Sequence, residues 1–171
     1  VTGLSDLEEI LLTEQLNWYR LQRHDFMNHW QVIMGYLQLE QGDKALGYMR
    51  EALGGLTAEQ KVGQLAHPIA AAILLGMVIR LRSEEITARL QFPAEMTEER
   101  FWQDNWRQEY APAFYGYTKK CVEGAVLRAK KEKGRMGAEI VLDKQDGVIS
   151  CDFVLTCREI VLWQAAWRTE G

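Results

Sequence analysis

One histidine in this chain has neighbours that suit nucleophilic chemistry. His24 stands between Arg23 and Asp25, with Arg20 four residues before it and Asn28 four residues after it. Imidazole is a good nucleophile near neutral pH because its unperturbed pKa is about 6.5. It attacks an acyl or phosphoryl centre when a neighbouring group fixes its tautomer. Asp25 and Asn28 are the residue types that orient such a ring. Arg20 and Arg23 supply positive charge where a transferred phosphoryl group would sit, with Arg20 the candidate charge stabiliser. The other two histidines read as structural. His29 points towards an apolar flank, and His67 precedes Pro68, where it helps a turn. His24 and His29 are five apart rather than four, so they do not form a helical metal pair.

The element that positions His24 is a long helix, expected from about Ser5 to Gln41. Ser5 with Glu8 three residues on is a capping-box pattern, and no proline or glycine interrupts the run before Gly35. At 100° per residue, Thr13, Asn17, Arg20, Asn28, Gln31, Gly35 and Gln38 lie within about 40° of the His24 direction. None of these is a large apolar residue. The opposite face holds Leu12, Leu16, Tyr19, Phe26, Trp30, Ile33 and Leu37, flanked by Leu11, Trp18, Val32 and Tyr36 on one side and Met27 and Met34 on the other. This apolar surface covers well over half the circumference, more than one neighbouring helix can bury. A second helical hairpin is required, and the chain offers no other long helix pair of this kind. A homodimer forming a four-helix bundle is the expected solution. The polar stripe then faces solvent, with His24 near its middle and Asn17, Arg20, Gln31 and Gln38 as the side chains available to a docking partner. An exposed histidine in such a stripe is ordinarily just a solvated residue, so the stripe alone does not assign a function.

Gly42-Asp43 breaks the first helix, and Asp43 is the expected cap of a second, from about Lys44 to Leu53 or further, with Gly54-Gly55 ending or bending it. Pro68 suits the first turn of a third helix over about 69–82. Beyond residue 84 the pattern changes. Ile86 to Phe92 alternates as a strand does. Residues 94–112 are hard to read, though Trp102 and Trp106 suggest a helical turn packed on something. Ala113 to Lys133 reads as a helix stopped by Gly134. Ala138 to Leu142 and Val148 to Leu155 read as a hairpin around Asp146-Gly147, and Arg158 to Gln164 as a last strand. The fold class expected is α+β, with a helical hairpin over 1–66 and a small α/β domain over 67–171.

The 171 residues are 47% hydrophobic, which permits a real core and argues against disorder. A net charge of −4 argues against nucleic acid or an anionic membrane as the main partner. The longest apolar run, Ile69 to Ile79, is too short to span a bilayer, and residues 1–9 lack a leader pattern. The expectation is a soluble cytoplasmic protein. Cys121, Cys151 and Cys157 form no CxxC, so a disulfide framework or zinc site is disfavoured and the cysteines read as small buried residues.

The segment Arg23-His24-Asp25-Phe26-Met27-Asn28-His29-Trp30-Gln31-Val32-Ile33 resembles the RHDFMNHLQVI motif on the phosphoacceptor helix of citrate-sensor-type histidine kinases. It equally resembles the sporulation initiation phosphotransferase B family. The following GYLQLEQGDKALGYMREA is similar to that motif's turn and second helix, and His67-Pro68-Ile69-Ala70 with Leu74 to a later NPxLAALL helix. The resemblance covers about residues 15–92 well and the rest in outline. It implies that His24 is the phosphorylated residue, with Asp25 and Asn28 near the phosphoryl group. It also implies a dimer that exchanges phosphoryl groups with response regulators carrying an aspartyl phosphate, in sporulation initiation.

The second half separates the two branches. A histidine kinase needs an asparagine that holds Mg²⁺ and a DxGxG loop whose glycines let backbone approach the nucleotide. In Lys120-Cys121-Val122-Glu123-Gly124-Ala125, Gly124 stands where a kinase has that asparagine, and no DxGxG occurs. The α/β domain therefore reads as a degenerate histidine-kinase ATPase domain that has lost ATP binding. The resulting expectation is a phosphotransferase with no cofactor of its own, any Mg²⁺ coming with the regulator. The alternatives are an ATP-dependent kinase fragment, a regulator phosphatase in which Asp25 and Asn28 orient a water, and a non-catalytic dimeric binding module.

Overall fold

The computed structural model describes residues 5–54 and 57–169. They form an α+β chain of two compact units that divide between Thr57 and Ala58. The sequence reading placed the change at 66/67.

The first unit is a helical hairpin. Helix α1, Asp6–Gln38, opens on the expected capping box. The Glu8 N–H donates to the Ser5 hydroxyl oxygen, and the Ser5 N–H donates to the Glu8 carboxylate. Asp6, Glu8 and Glu9 in the first turn complement the helix dipole. The helix stops three residues earlier than expected, because Glu40 turns left-handed (φ 58°) and the chain reverses. Helix α2, Gly42–Gly54, begins at once. Asp43 is not its cap. The Gln41 carbonyl accepts the first helical bonds, from the Lys44 and Ala45 N–H groups, and Asp43 lies inside the first turn. Helix α2 ends at Gly54, while Gly55 lies outside the described residues. The buried Ala45 lets the helices close on each other, and His29 Nδ1 lies 2.7 Å from the Tyr48 hydroxyl, with Tyr36 beside the same ring.

The second unit packs helices on one face of a four-stranded sheet of order β1-β2-β3-β4. A short helix the sequence reading did not anticipate, α3 (Thr57–Val62), leads to α4 (Pro68–Ser83), and Glu59 of α3 pairs with Arg82 of α4. His67 is the N-cap of α4, and its Nδ1 accepts the Ala70 N–H at 3.1 Å. Strand β1 (Ile86–Gln91) pairs in parallel with β2 (Met136–Gln145), and the crossover carries a 3-10 turn at Ala94–Thr97, α5 (Glu99–Asn105) and α6 (Tyr110–Ala129). Helix α6 is shifted towards its N-terminus relative to the expected 113–133, so Gly134 lies in the loop beyond it rather than at its stop. Strands β2, β3 (Val148–Cys157) and β4 (Ile160–Arg168) form an antiparallel meander. Asp146-Gly147 makes the first turn with both residues at positive φ. Arg158 and Glu159 make the second, so the last strand starts at Ile160 rather than Arg158. Leu74, Phe114, Ile140, Phe153 and Leu155 are fully buried between helices and sheet. The Tyr117 hydroxyl donates to the Cys151 carbonyl at 2.8 Å and ties α6 to β3. All three cysteines are free and buried, and burial pushes the Cys121 thiol up to about 11.

The stretch that resisted sequence reading is an aromatic cluster. The rings of His67, Trp102 and Trp106 meet pairwise at 5.2 to 5.6 Å, and Trp106 reaches Phe114 and Trp167. The Trp102 indole N–H donates to the Met96 carbonyl at 2.8 Å. Its spacing follows ring contacts rather than helical or strand period.

Candidate functional site

Every residue of the expected site lies on α1, so backbone geometry alone sets their spacing. Asn17, Arg20, His24, Asp25, Asn28, Gln31 and Gln38 are all exposed. The His24 side chain is 74% exposed, enough for a partner molecule to reach the ring.

Three of these residues are in contact. Asn28 Nδ2 lies 3.3 Å from His24 Nδ1, and an Asp25 carboxylate oxygen lies 3.7 Å from the same nitrogen. The first is hydrogen-bonding distance. The second is too long for a hydrogen bond and is an electrostatic contact with that nitrogen. Both groups gather on Nδ1, and Nε2 has no partner among the described residues. The ring is thus held by one nitrogen and presented by the other. Arg20 and Asn17 lie one and two turns before it, and Gln31 about two turns after it. None of them touches the imidazole. Arg20 makes no ion pair among the described residues, so its charge is available beside the ring. Gln38 is the last residue of α1, about 21 Å along the axis from His24 at 1.5 Å per residue.

The sequence reading missed an apolar margin. Ile10 and Leu21 lie about 40° and 60° from the His24 direction, and both are close to half exposed. The polar stripe thus has apolar residues beside it. The 100° helical count finds both when the whole helix is run through it.

His29 belongs to the hairpin, through Tyr48. His67 belongs to the second unit, as cap and ring partner, and burial lowers its pKa. Among the described residues no group of three or more His, Cys, Asp or Glu gathers as metal ligands.

The position compared with a kinase asparagine has a definite occupant. A Cβ built on Gly124 would lie 2.7 Å from the Trp163 ring, closer than real carbon contacts. Arg128 stacks over the same indole at 4.9 Å, and Phe153 meets it edge-on. Gly124 therefore faces β4 through a tryptophan, and the direction an asparagine side chain would take is filled. Asp146-Gly147, between β2 and β3, is a tight turn with a single glycine.

Residues 6–65 match the family model of the sensor kinase SpoOB-type alpha-helical domain, a domain of two-component phosphorelay proteins. The match spans the hairpin and the whole polar stripe. No curated protein matches the chain. Among the described residues no helix is long and apolar enough to cross a membrane.

Proposed function

We propose that this chain, whose residues 6–65 belong to the SpoOB-type sensor-kinase helical-domain family, is a cytoplasmic histidine phosphotransferase passing phosphoryl groups between response regulators in sporulation initiation. The observation that carries the reading is the exposed His24 ring, engaged at Nδ1 by Asn28 and Asp25 and open at Nε2.

The chemistry follows from that arrangement. The Asn28 amide, turned to offer its oxygen, accepts the proton on Nδ1, and the Asp25 charge lies beside it. Nε2 then carries the lone pair. It attacks the phosphorus of an aspartyl phosphate in line. An N–P bond forms as the P–O bond to the aspartate breaks, and the electron pair leaves on the carboxylate oxygen. The phosphorylated ring is cationic while it keeps the Nδ1 proton, and the Asp25 charge stabilises it. Reversal towards a second regulator's aspartate completes the exchange. Such a transition state is loose, so catalysis is mostly positioning and charge neutralisation. Arg20 supplies positive charge to the phosphoryl oxygens, Asn17, Gln31 and Gln38 contact the regulator, and Mg²⁺ is held by the regulator's own carboxylates.

The active form in this reading is a homodimer. Leu12, Leu16, Tyr19, Phe26, Trp30 and Leu37 on α1 are between 48% and 63% exposed in the single chain. So much apolar surface on one hairpin is expected to be covered, and a second hairpin giving a four-helix bundle covers it. The second unit is read as a degenerate kinase domain, and the packing of Trp163 on Gly124 counts against an ATP-dependent kinase.

The test is incubation with a phosphorylated response regulator and no ATP, beside His24→Ala. Acid-labile label on the wild type alone is expected. No label on a folded dimer, with any regulator tried, would overturn the reading in favour of a binding module.

A further inference from the structure

The second unit holds a cleft of about 480 Å³ that the phosphotransfer chemistry does not use, within the size range of small-molecule sites. His67, Trp102 and Trp106 line it with rings, and Glu99, Gln103 and Gln108 complete its polar border. Ring packing explains Trp102, which is 2% exposed and belongs to the core. Trp106 and His67 are only part-buried, so each leaves ring surface to the cleft. Glu99, in the first turn of α5, complements the helix dipole, yet its carboxylate is exposed and makes no ion pair among the described residues.

The charges around the cleft select its occupant. No lysine or arginine is among the described residues that line it. The nearest arginines along the chain are engaged, Arg100 with Asp104 and Arg107 with Glu109, each at 3.7 Å. Two lysines from other elements sit over other rings, Lys61 over Phe92 and Lys144 over Phe101. The start of α4 borders the cleft, and a helix N-terminus ordinarily favours an anion. Here Pro68 has no N–H to offer, and His67 Nδ1 already accepts that of Ala70. An imidazole that accepts at Nδ1 is neutral, and burial lowers its pKa, so the ring adds no positive charge.

An anion in this cleft would meet a carboxylate and no cation, and a neutral molecule would gain nothing from Glu99. A cation gains from both, because an indole attracts it through the ring quadrupole and the carboxylate attracts it by charge. We infer that this cleft binds a compact organic cation, an alkylammonium or guanidinium group, on the Trp106 ring with Glu99 as its counter-charge. Gln103 and Gln108 supply amide oxygens to the N–H groups such a cation carries. The cation comes on a free small molecule or at the end of a lysine or arginine side chain of a protein, and the recognition is the same. The site lies wholly within the second unit and does not depend on the role of His24.

The experiment titrates the full chain with tetramethylammonium and with acetyl-arginine amide, following the Trp106 indole N–H resonance by heteronuclear NMR. Butanol and acetate serve as neutral and anionic probes, with sodium chloride keeping the ionic strength equal. The resonance is assigned through Trp106→Phe, or through the backbone should that variant not fold. Saturable shifts are expected with the cations and with neither of the other probes. Glu99→Gln is expected to weaken cation binding about fivefold, the worth of one carboxylate near a cation at a partly exposed site. Glu98→Gln removes a neighbouring exposed carboxylate that does not line the cleft, and should leave binding unchanged. No saturable shift with either cation would overturn the site. Equal shifts with butanol would overturn the cation in favour of an apolar ligand. Equal weakening by Glu99→Gln and Glu98→Gln would assign the effect to general surface charge and overturn Glu99 as the counter-charge. Tighter binding of an arginine-centred tripeptide than of acetyl-arginine amide would support a cation carried by a protein, and equal affinity one carried by a free molecule.

Discussion

The Tyr48 hydroxyl lies 2.7 Å from His29 Nδ1, and this contact joins α2 to α1 five residues beyond His24. It is a cross-helix tie in a hairpin with little buried apolar surface of its own. Tyr48→Phe is expected to lower hairpin stability by about 1 kcal/mol, the net worth of one such hydrogen bond. Urea unfolding followed by circular dichroism measures it. His24 labelling should survive, since the ring contacts of Asn28 and Asp25 do not involve Tyr48.

Asn28 is the group within hydrogen-bonding distance of His24 Nδ1. Replacing it with leucine keeps the helix and its bulk but removes the polar group. Transfer to His24 is expected to slow about 10-fold to 100-fold, the scale of a mis-oriented reacting group. Rapid-quench labelling with acid-labile detection gives the rate. Asn28→Asp should retain more activity, because a carboxylate oxygen can still accept the Nδ1 proton.

Phe26 projects from the face of α1 opposite His24 and is 60% exposed in the single chain. In a four-helix bundle it would be covered, so Phe26→Glu would bury a charge. The variant is expected to run as a monomer of the 19.7 kDa chain with reduced helicity. Light scattering coupled to gel filtration reads the mass. A dimer unchanged by this substitution would show that the apolar face of α1 is not the dimer surface.

Gly124→Asn puts a side chain into the Trp163 ring. The expected cost is about 1–3 kcal/mol, the usual range for overpacking, seen as a lower calorimetric midpoint. Nucleotide binding should not appear, because the asparagine would meet an indole rather than a cleft. A fluorescent ATP analogue titrated into the variant checks this.

His67 introduces a pH dependence. Burial holds its pKa below the ordinary imidazole value of about 6.5. The folded state thus resists a proton that the unfolded chain accepts. Stability from the neutral ring is complete above about pH 6.5 and falls as pH drops from there towards the lowered pKa. Protonation also removes the Nδ1 acceptor for the Ala70 N–H. Thermal unfolding between pH 7.5 and 5 should show this decline. His67→Asn keeps a capping oxygen and should flatten it.

The sequence by itself determined what depends on neighbours three or four residues apart. The Ser5–Glu8 capping box, the stripe through His24 and the Asp146-Gly147 hairpin are all local patterns. Helical pitch and turn sterics turn such patterns directly into geometry, so the candidate site, carried on one helix, was legible residue by residue. Tertiary structure decided what depends on groups far apart in the chain. Residues 94–112 fold around ring contacts between His67, Trp102 and Trp106 that no periodicity encodes. Gly124 was visible as a missing asparagine, but only the approach of Trp163 showed the space to be filled. The turn at Arg158-Glu159 was read as strand, because neither residue favours the left-handed backbone that pairing of β3 with β4 imposes. The cleft bordered by His67 and Glu99 likewise follows from packing, which brings together residues with no local relation.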